Sequence, residues 1–148
     1  MRIREFQPSD LPILSKIDKA CFPPGISYSR EELTGYIAFR SARTWVAEDE
    51  SGIFGFLVAN REPAGVGHII TIDVLESARR QGTGTRLMDM AEEWARKARL
   101  RIMYLETAED NLAAQSFYEG LGYRKLEKIE LYYSNGQAAW VMIKNLEQ

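Results

Sequence analysis

The sequence contains little cysteine and histidine and no long apolar run. Its 148 residues include one cysteine, Cys21, and one histidine, His68. A single cysteine excludes a disulfide bond within the chain, and so few thiol and imidazole ligands predict that no metal is bound. No apolar stretch reaches the length that crosses a bilayer, and residues 1–5 lack the apolar core of a signal peptide. These absences favour a cytoplasmic protein.

An excess of charge of one sign is also lacking. The chain has 19 lysines and arginines against 21 aspartates and glutamates, a formal net charge of −2 at pH 7. This balance gives no overall attraction for nucleic acid or for an anionic membrane, so neither is an expected partner. The length, without a linker or an internal repeat, predicts one domain over residues 1–148. A monomer or a homodimer is expected, and the sequence does not distinguish them.

The order of hydrophobic patterns predicts a mixed sheet covered by helices. The predicted strands are 2–7, 44–48, 53–60, 68–74, 102–107 and two more around the turn Ser134-Asn135-Gly136. The predicted helices run from a cap at Ser9 or Asp10 to Ala20, from a capping box at Ser29 to Phe39, over the apolar stripe from Leu87 to Ala98, and after Asn111. The expected fold class is therefore α+β (mixed α/β).

The segment Arg79-Arg80-Gln81-Gly82-Thr83-Gly84 lies between an apolar strand and an amphipathic helix. Two glycines without Cβ atoms allow backbone N–H groups to converge on an anion, and the following helix contributes the positive end of its dipole. The two arginines add positive charge. The segment is therefore predicted to bind a ligand that carries a pyrophosphate.

Three kinds of phosphate-binding loop compete for this segment. A P-loop needs four residues between its glycines and then Gly-Lys-Ser or Gly-Lys-Thr, which the segment lacks. A dinucleotide-binding loop needs a small residue where Leu87 stands, although Glu106 lies near the place of that fold's ribose-binding acid. After Tyr123 the chain offers only a hairpin signal, whereas a dinucleotide-binding domain would continue with strand-helix units. The third kind is the pattern Arg/Gln-x-x-Gly-x-Gly/Ala.

That third pattern resembles the acetyl-coenzyme A loop of the GNAT N-acetyltransferase superfamily, and Arg79, Gly82 and Gly84 fit it. The other matching segments are Gly67-His68-Ile69, Ile72-Asp73-Val74, Tyr104-Leu105-Glu106-Thr107, Asn111, Ala114 and Phe117-Tyr118-Glu119-Gly120-Leu121-Gly122-Tyr123. Within the superfamily the chain is most similar to the ribosomal-protein-alanine N-acetyltransferase branch. The resemblance implies a central mixed, mostly antiparallel sheet of about seven strands, flanked by about four helices.

The resemblance also implies that acetyl-coenzyme A is the acyl donor. The residues that would hold it are Ile72, Val74, Arg79, Arg80, Gly82, Thr83, Gly84, Thr85 and Asn111. In the family a backbone N–H, here that of Val74, stabilises the oxyanion. A tyrosine at the position of Tyr118 protonates the departing thiolate, and a phenol with a pKa of about 10 is protonated at pH 7.

Glu106 is the candidate general base. Side chains alternate along its strand, which places Glu106 on one face with Tyr104 and at the carboxyl end, where sheets with parallel strands usually bind ligands. An amine must lose a proton before it attacks a thioester, since an α-amine titrates at about 8 and a lysine at about 10.4. Glu106 is predicted to accept that proton through a water molecule.

Structural roles remain open for the same residues. Glu106 could be a structural carboxylate that pairs with an arginine, and Tyr118 could be a half-buried packing residue. Asn111 could cap its helix and touch the coenzyme at the same time. His68 is expected at a strand end or behind the site, not as the base. Phe117, which lies on another helix face than Tyr118, is the expected core residue.

In the N-terminal acetyltransferase branch, the loop after the first helix and the last hairpin flank the acceptor. The corresponding residues are Phe22 and Tyr28 in the loop, and Tyr132 and Tyr133 in the hairpin. The predicted acceptor is the N-terminal α-amine of a protein or peptide. Two alternatives stay open, namely acetyl transfer to a small-molecule amine or a lysine side chain, and a non-catalytic acyl-coenzyme A-binding module.

Overall fold

A seven-stranded sheet forms the centre of the protein, which a computed structural model describes over residues 1–147. The strands are β1 (Arg2–Glu5), β2 (Ala42–Asp49), β3 (Gly52–Glu62), β4 (Val66–Val74), β5 (Ile102–Ala108), β6 (Arg124–Ile129) and β7 (Ala139–Asn145). The α-helices over these residues are α1 (Leu11–Cys21), α2 (Arg30–Ala38), α3 (Thr83–Lys97) and α4 (Leu112–Gly120). The predicted fold class, a mostly antiparallel mixed sheet flanked by four helices, is confirmed.

The sheet splits between its two parallel strands. The strand order is β1-β2-β3-β4-β5-β7-β6, and only β4 and β5 run parallel. They pair only where Val66–His68 meets Ile102–Tyr104. Beyond this point the register of β4 on β3 shifts, which leaves Ile70 as an extra residue, a β-bulge that bends the strand. The carboxyl ends of β4 and β5 therefore diverge and leave a gap in the sheet.

Helices cover both faces of the sheet and form two cores. The core under α1 and α2 contains Leu14, Ile17, Leu33, Val46, Phe56 and Val58. The core under α3 and α4 contains, among others, Leu87, Met88, Ala91, Met103, Leu105, Tyr118 and Met142. Adjacent residues of β3, Leu57 and Val58, belong to different cores, as the alternation of side chains along a strand requires.

The first helix begins differently from the sequence prediction. Residues 8–10 form a 3-10 turn, and the Asp10 side chain does not cap α1. Its carboxylate instead accepts a hydrogen bond from the Gln7 N–H and pairs with Arg4 on β1. In contrast, the predicted capping box is confirmed, because Ser29 and Glu32 exchange hydrogen bonds at the start of α2. A local pattern cannot reveal a competing partner such as Arg4 on another element.

The last two strands pair as predicted, but no tight turn joins them. Residues 130–138 separate β6 from β7. The turn signal marks only the tip of this loop, where the Gly136 N–H donates to the Tyr133 carbonyl and Gly136 has a φ of +90°. We call residues 130–138 the β6–β7 loop. It carries Tyr132 and Tyr133 to the gap in the sheet.

Candidate active site

A cavity of about 1100 Å³ occupies the gap between β4 and β5. Its lining includes every residue predicted for the site, namely Phe22, Tyr28, Ile72, Val74, Arg79, Arg80, Gly82, Thr83, Gly84, Thr85, Glu106, Asn111, Tyr118, Tyr132 and Tyr133. Residues separated by up to 111 positions in the sequence thus border one space. The cavity has the size and mixed polar and apolar lining of a ligand site.

The glycine loop at one end of the cavity leaves the start of α3 open. Gly82, the residue before α3, has a left-handed φ of +80°, and no side chain caps the first turn of the helix. A Cβ built on Gly82 meets no atom within 4 Å, whereas one on Gly84 would lie 3.0 Å from the Phe117 ring. Gly84 therefore allows α3 to approach α4. The uncapped amides and the space beside Gly82 fit an anionic phosphate group.

The amides of β4 face the gap. The Leu75 N–H donates across to the Phe54 carbonyl of β3. Because N–H directions alternate along a strand, the amides of Ile72 and Val74 point away from β3. The pairing of β4 with β5 ends at His68, so neither amide meets a partner strand within residues 1–147. Two backbone donors thus remain available on this side of the cavity.

The carbonyl of Val74 is held by two side chains. Arg79 Nε donates to this oxygen at 2.8 Å, and Cys21 Sγ donates at 3.5 Å. Burial, with a smaller effect of the nearby Asp73, raises the pKa of the Cys21 thiol to about 11. Cys21 is therefore a thiol at neutral pH and not a nucleophile, since the thiolate is the reactive form.

Glu106 lies against the only histidine of the chain. Glu106 Oε1 is 2.6 Å from His68 Nε2. His68 opposes Tyr104 in the parallel pair of strands, so Glu106, two residues further along β5, shares its face of the sheet. The imidazole also stacks on the Tyr104 ring, with the centroids 4.2 Å apart and the planes 2° apart. Glu106 lines the cavity, whereas His68 does not and lies on the other side of the Glu106 carboxylate.

Three tyrosines border the other end of the cavity. The Tyr28 N–H donates to Asp18 at 2.7 Å, which fixes the loop between α1 and α2. Tyr132 and Tyr133 pack edge to face. Burial raises the pKa of all three phenols, that of Tyr132 to about 12. Neutral phenols therefore surround Glu106, and the two loops meet where the Ser134 hydroxyl donates to the Gly25 carbonyl at 3.0 Å.

Tyr118 is the more buried of two neighbouring aromatic residues of α4, although the sequence pattern places only Phe117 in the core. Tyr118 is 8% exposed, whereas Phe117 is only partly buried. Asn111 caps α4 by accepting from the Ala114 N–H. Gln115 turns inward because its amide donates to two carbonyls at the end of β5, and Tyr118 lies one turn further on the same face. Burial raises the pKa of Tyr118 well above its ordinary value, so the phenol keeps its proton.

A buried pair of carboxyl groups connects α1 to β4. Asp18 and Asp73 are at most 1% exposed. Asp18 Oδ1 and Asp73 Oδ2 have no donor, while the other oxygen of Asp73 accepts from Thr71. A proton retained by Asp73 supplies the missing donor. Burial, followed by the hydrogen bond to Asp18, raises the pKa of Asp73 well above its ordinary value.

The pair predicts an unusual dependence of stability on pH. Because the folded state holds the Asp73 proton more tightly than the unfolded chain, stability should fall as the pH rises from the ordinary aspartate range through the raised pKa of Asp73. Asp73→Asn removes this proton. As the pH rises from 5 to 8, the melting temperature of Asp73→Asn minus that of wild type should increase by roughly 3 °C or more. Thermal unfolding by circular dichroism measures this difference.

Asp49→Asn is the matched control, since Asp49 is exposed and its pKa is lowered by hydrogen bonds from Ser51. The difference in melting temperature between Asp49→Asn and wild type should stay constant over the same range of pH. A constant difference for Asp73→Asn as well would mean that Asp73 is ionised in the folded protein.

The sequence prediction missed Asp18, Asp73 and Glu62 as parts of this region. Glu62 Oε2 lies 3.3 Å from His68 Nδ1, opposite the nitrogen that meets Glu106. A signal for Asp73 does exist, since an aspartate within an apolar strand is unusual and suggests a partner. Within residues 1–147 there is no group of three or more histidines, cysteines and acidic residues placed to hold a metal ion. The described helices include none with the length and apolar character of a membrane span.

Comparison with known proteins identifies relatives of the whole chain. The model of the family described as "Acetyltransferase (GNAT) family" matches residues 11–123. An uncharacterized N-acetyltransferase of Methanocaldococcus jannaschii is 30% identical over 145 residues, 97% of this chain and 91% of that protein. An N-alpha-acetyltransferase of Sulfurisphaera tokodaii is 28% identical over 155 residues, 95% of this chain and 90% of the relative.

Among solved structures, a ribosomal-protein-alanine N-acetyltransferase from Brucella melitensis has a similar fold. The TM-score is 0.82 at 18% sequence identity, and the match covers 98% of this chain and 99% of the other. The predicted resemblance to this branch is confirmed at the level of the fold. At this identity the likeness concerns the fold alone.

Proposed function

The chain belongs to the acetyltransferase (GNAT) family, and from that premise we propose that it transfers an acetyl group from acetyl-coenzyme A to the N-terminal α-amine of a protein or peptide. One observation carries the proposal. A single cavity has an uncapped, glycine-started helix at one end and a carboxylate among neutral tyrosines at the other. Such a space suits a long anionic donor and a separate amine acceptor. A protein acceptor and a single cysteine suit a cytoplasmic enzyme.

The phosphate end of the donor binds at the glycine loop. Gly82, Thr83, Gly84 and Thr85 offer backbone amides of the first turn of α3, and Arg80 adds charge. Arg79 contributes through the remaining donors of its guanidinium, because Nε is engaged by Val74. Acetyl-coenzyme A supplies the thioester that reacts. The free amides of Ile72 and Val74 face the space where its carbonyl oxygen gains negative charge.

Glu106 takes the proton of the amine. The N–H bond of the ammonium group breaks, its proton passes to the pair formed by Glu106 and His68, and the nitrogen keeps the electron pair with which it attacks. His68 Nε2 lies 2.6 Å from Glu106 Oε1, so a hydrogen bond between them stabilises the proton on either atom. The nearby phenols of Tyr28, Tyr132 and Tyr133 do not compete with Glu106 for this proton. Burial raises the pKa of each, so they carry no negative charge.

Tyr118 assists the departing sulfur. Its pKa is raised chiefly by burial, whereas a thiol has a pKa of about 8.5. Complete proton transfer from this phenol to a thiolate is uphill, so Tyr118 acts chiefly as a hydrogen-bond donor to the sulfur while charge develops there. The same burial keeps the phenol protonated over the whole working range of pH.

The choice of an N-terminal α-amine as acceptor is supported by the shape of the cavity entrance and by the acid-base chemistry of amines. Phe22 and Tyr28 on one loop, and Tyr132 and Tyr133 on the other, border the end of the cavity near Glu106. The hydrogen bond between Ser134 and Gly25 joins the loops and narrows this end. A chain terminus with a small first side chain fits such an entrance better than a residue within a chain. An α-amine is also deprotonated more readily than lysine by about 2.5 pH units.

Release of coenzyme A thiol tests the proposal. Peptides that begin with alanine or serine should react with acetyl-coenzyme A at least tenfold faster than spermidine or than an N-terminally blocked peptide that contains lysine. Faster reaction with spermidine would replace the proposal by acetylation of a small amine. Binding of acetyl-coenzyme A without turnover of any amine would leave a non-catalytic binding module.

Gly82→Val tests the coenzyme site. The left-handed φ of +80° is strained for valine, and the new side chain would enter the open space beside the first turn of α3. The affinity for acetyl-coenzyme A should fall more than tenfold, above about 1.4 kcal/mol, as measured by calorimetry. Gly52→Val, also at a positive φ but at the start of β3 and outside the cavity lining, controls for strain alone. Equal affinities of Gly82→Val and wild type would exclude this loop as the phosphate site.

A further inference from the structure

Glu62, at the end of β3, contacts the side of His68 that faces away from Glu106. Its Oε2 lies 3.3 Å from His68 Nδ1, an ion-pair distance. The Tyr104 hydroxyl donates to both oxygens of Glu62, at 2.8 and 3.0 Å. The Tyr104 ring at the same time stacks on the imidazole. One tyrosine thus fixes both the carboxylate and the ring that it faces.

We propose that Glu62 is a positioning residue for the reaction, which acts through His68 by balancing the positive charge that the Glu106–His68 pair gains when it takes the proton of the amine. The inference rests on the proposed function, because only acyl transfer to an amine delivers a proton to Glu106. Glu62 does not line the cavity and touches neither substrate. Its effect passes through the imidazole.

The charges of the group explain why a second carboxylate matters. When the amine loses its proton, the charge of the Glu106–His68 pair becomes one unit more positive. The carboxylate of Glu62, 3.3 Å from the imidazole, offsets this added charge. Removing it leaves the added charge uncompensated in a half-buried place, which makes the pair a weaker base.

No other charge near the imidazole performs this role in the described part of the chain. The groups that face His68 and Glu106 from neighbouring elements are the phenols of Tyr104, Tyr28, Tyr132 and Tyr133, and burial raises the pKa of each. They are uncharged at neutral pH. Asn60, opposite His68 on β3, is also neutral. The two glutamates are therefore the charges that act on the ring.

The chain has a single histidine, so its imidazole can be followed directly. In a histidine-labelled sample, the pH titration of the ring by nuclear magnetic resonance should have its midpoint lower in Glu62→Gln than in wild type by roughly 0.5 to 1 pH unit. Glu62→Asp keeps the charge and should restore most of the shift. Glu50→Gln, an equal change of charge in the turn between β2 and β3, should leave the midpoint unchanged.

Kinetics with a peptide that begins with alanine or serine completes the test. Glu62→Gln should lower kcat about three- to tenfold and keep the KM for acetyl-coenzyme A. It should also move the acidic limb of the pH–rate profile to lower pH, as it does the midpoint of the imidazole titration. An unchanged midpoint, or equal midpoints in the Gln and Asp variants, would overturn the proposal. The resonance measurement needs no turnover, so inactivity of wild type towards every peptide would contradict the proposed function without affecting this result.

Discussion

Replacing Glu106 by glutamine should lower the rate of acetyl transfer about 100-fold or more near pH 7, within the range expected for a positioned base. Glutamine keeps the size of the side chain and one acceptor oxygen but cannot take a proton. The variant must then wait for the amine to lose its proton to water, which an α-amine does at a pH of about 8. The loss should therefore shrink as the pH rises above this value. Steady-state rates from pH 6 to 9.5 measure the effect.

Glu109→Gln is the matched control for this prediction. Glu109 lies three residues further along the chain and pairs with Lys128. Its substitution removes the same charge near the same strand end, and activity should remain within about twofold of wild type. If the pH profile of Glu106→Gln runs parallel to that of wild type, the proton goes to another group.

Tyr118→Phe should lower kcat about 100-fold or more and leave the affinity for acetyl-coenzyme A nearly unchanged, since the ring and its packing stay in place. The missing hydroxyl removes the hydrogen-bond donor to the departing sulfur. Because the pKa of Tyr118 is raised well above its ordinary value, the wild-type rate should show no loss due to ionisation of this phenol up to pH 9.5. Rapid-quench kinetics with calorimetric binding separates the two effects.

Tyr123→Phe provides the comparison, because Tyr123 is a second tyrosine of the same core. Its hydroxyl donates to the buried Glu92 at 2.9 Å and does not line the cavity. This substitution should lower the free energy of unfolding by about 1 to 3 kcal/mol, since a buried carboxylate loses a donor, but preserve the rate of transfer. Equal activity of Tyr118→Phe and wild type would make Tyr118 a packing residue.

The parts of the fold that could be predicted from the sequence depend on local signals. The glycine loop, the capping box at Ser29 and the apolar stripe of α3 each lie within a few residues of the element that they define. The order of elements then implied a mixed sheet, and the family resemblance directed attention to the residues around one cavity. Glu106 was predictable in addition from alternation along β5.

The parts that could not be predicted depend on contacts between distant elements. Glu106 meets His68 only because of the register of β5 on β4, and the gap opens only because of the bulge at Ile70. Tyr118 faces inward because the Gln115 side chain, on the same face of α4, donates to two backbone carbonyls. A count of apolar residues along the helix does not include such hydrogen bonds. Pattern analysis favours Phe117 for this reason.

The central claim is that the acceptor is an α-amine, and mass spectrometry of one peptide tests it most directly. A peptide that begins with alanine and contains an internal lysine offers both amines at equal concentration. With acetyl-coenzyme A at pH 7.5, the protein should place the first acetyl group on the terminal nitrogen in at least nine of ten products, about the ratio that a tenfold rate difference gives. Fragment ions that place acetyl mainly on lysine would contradict the account.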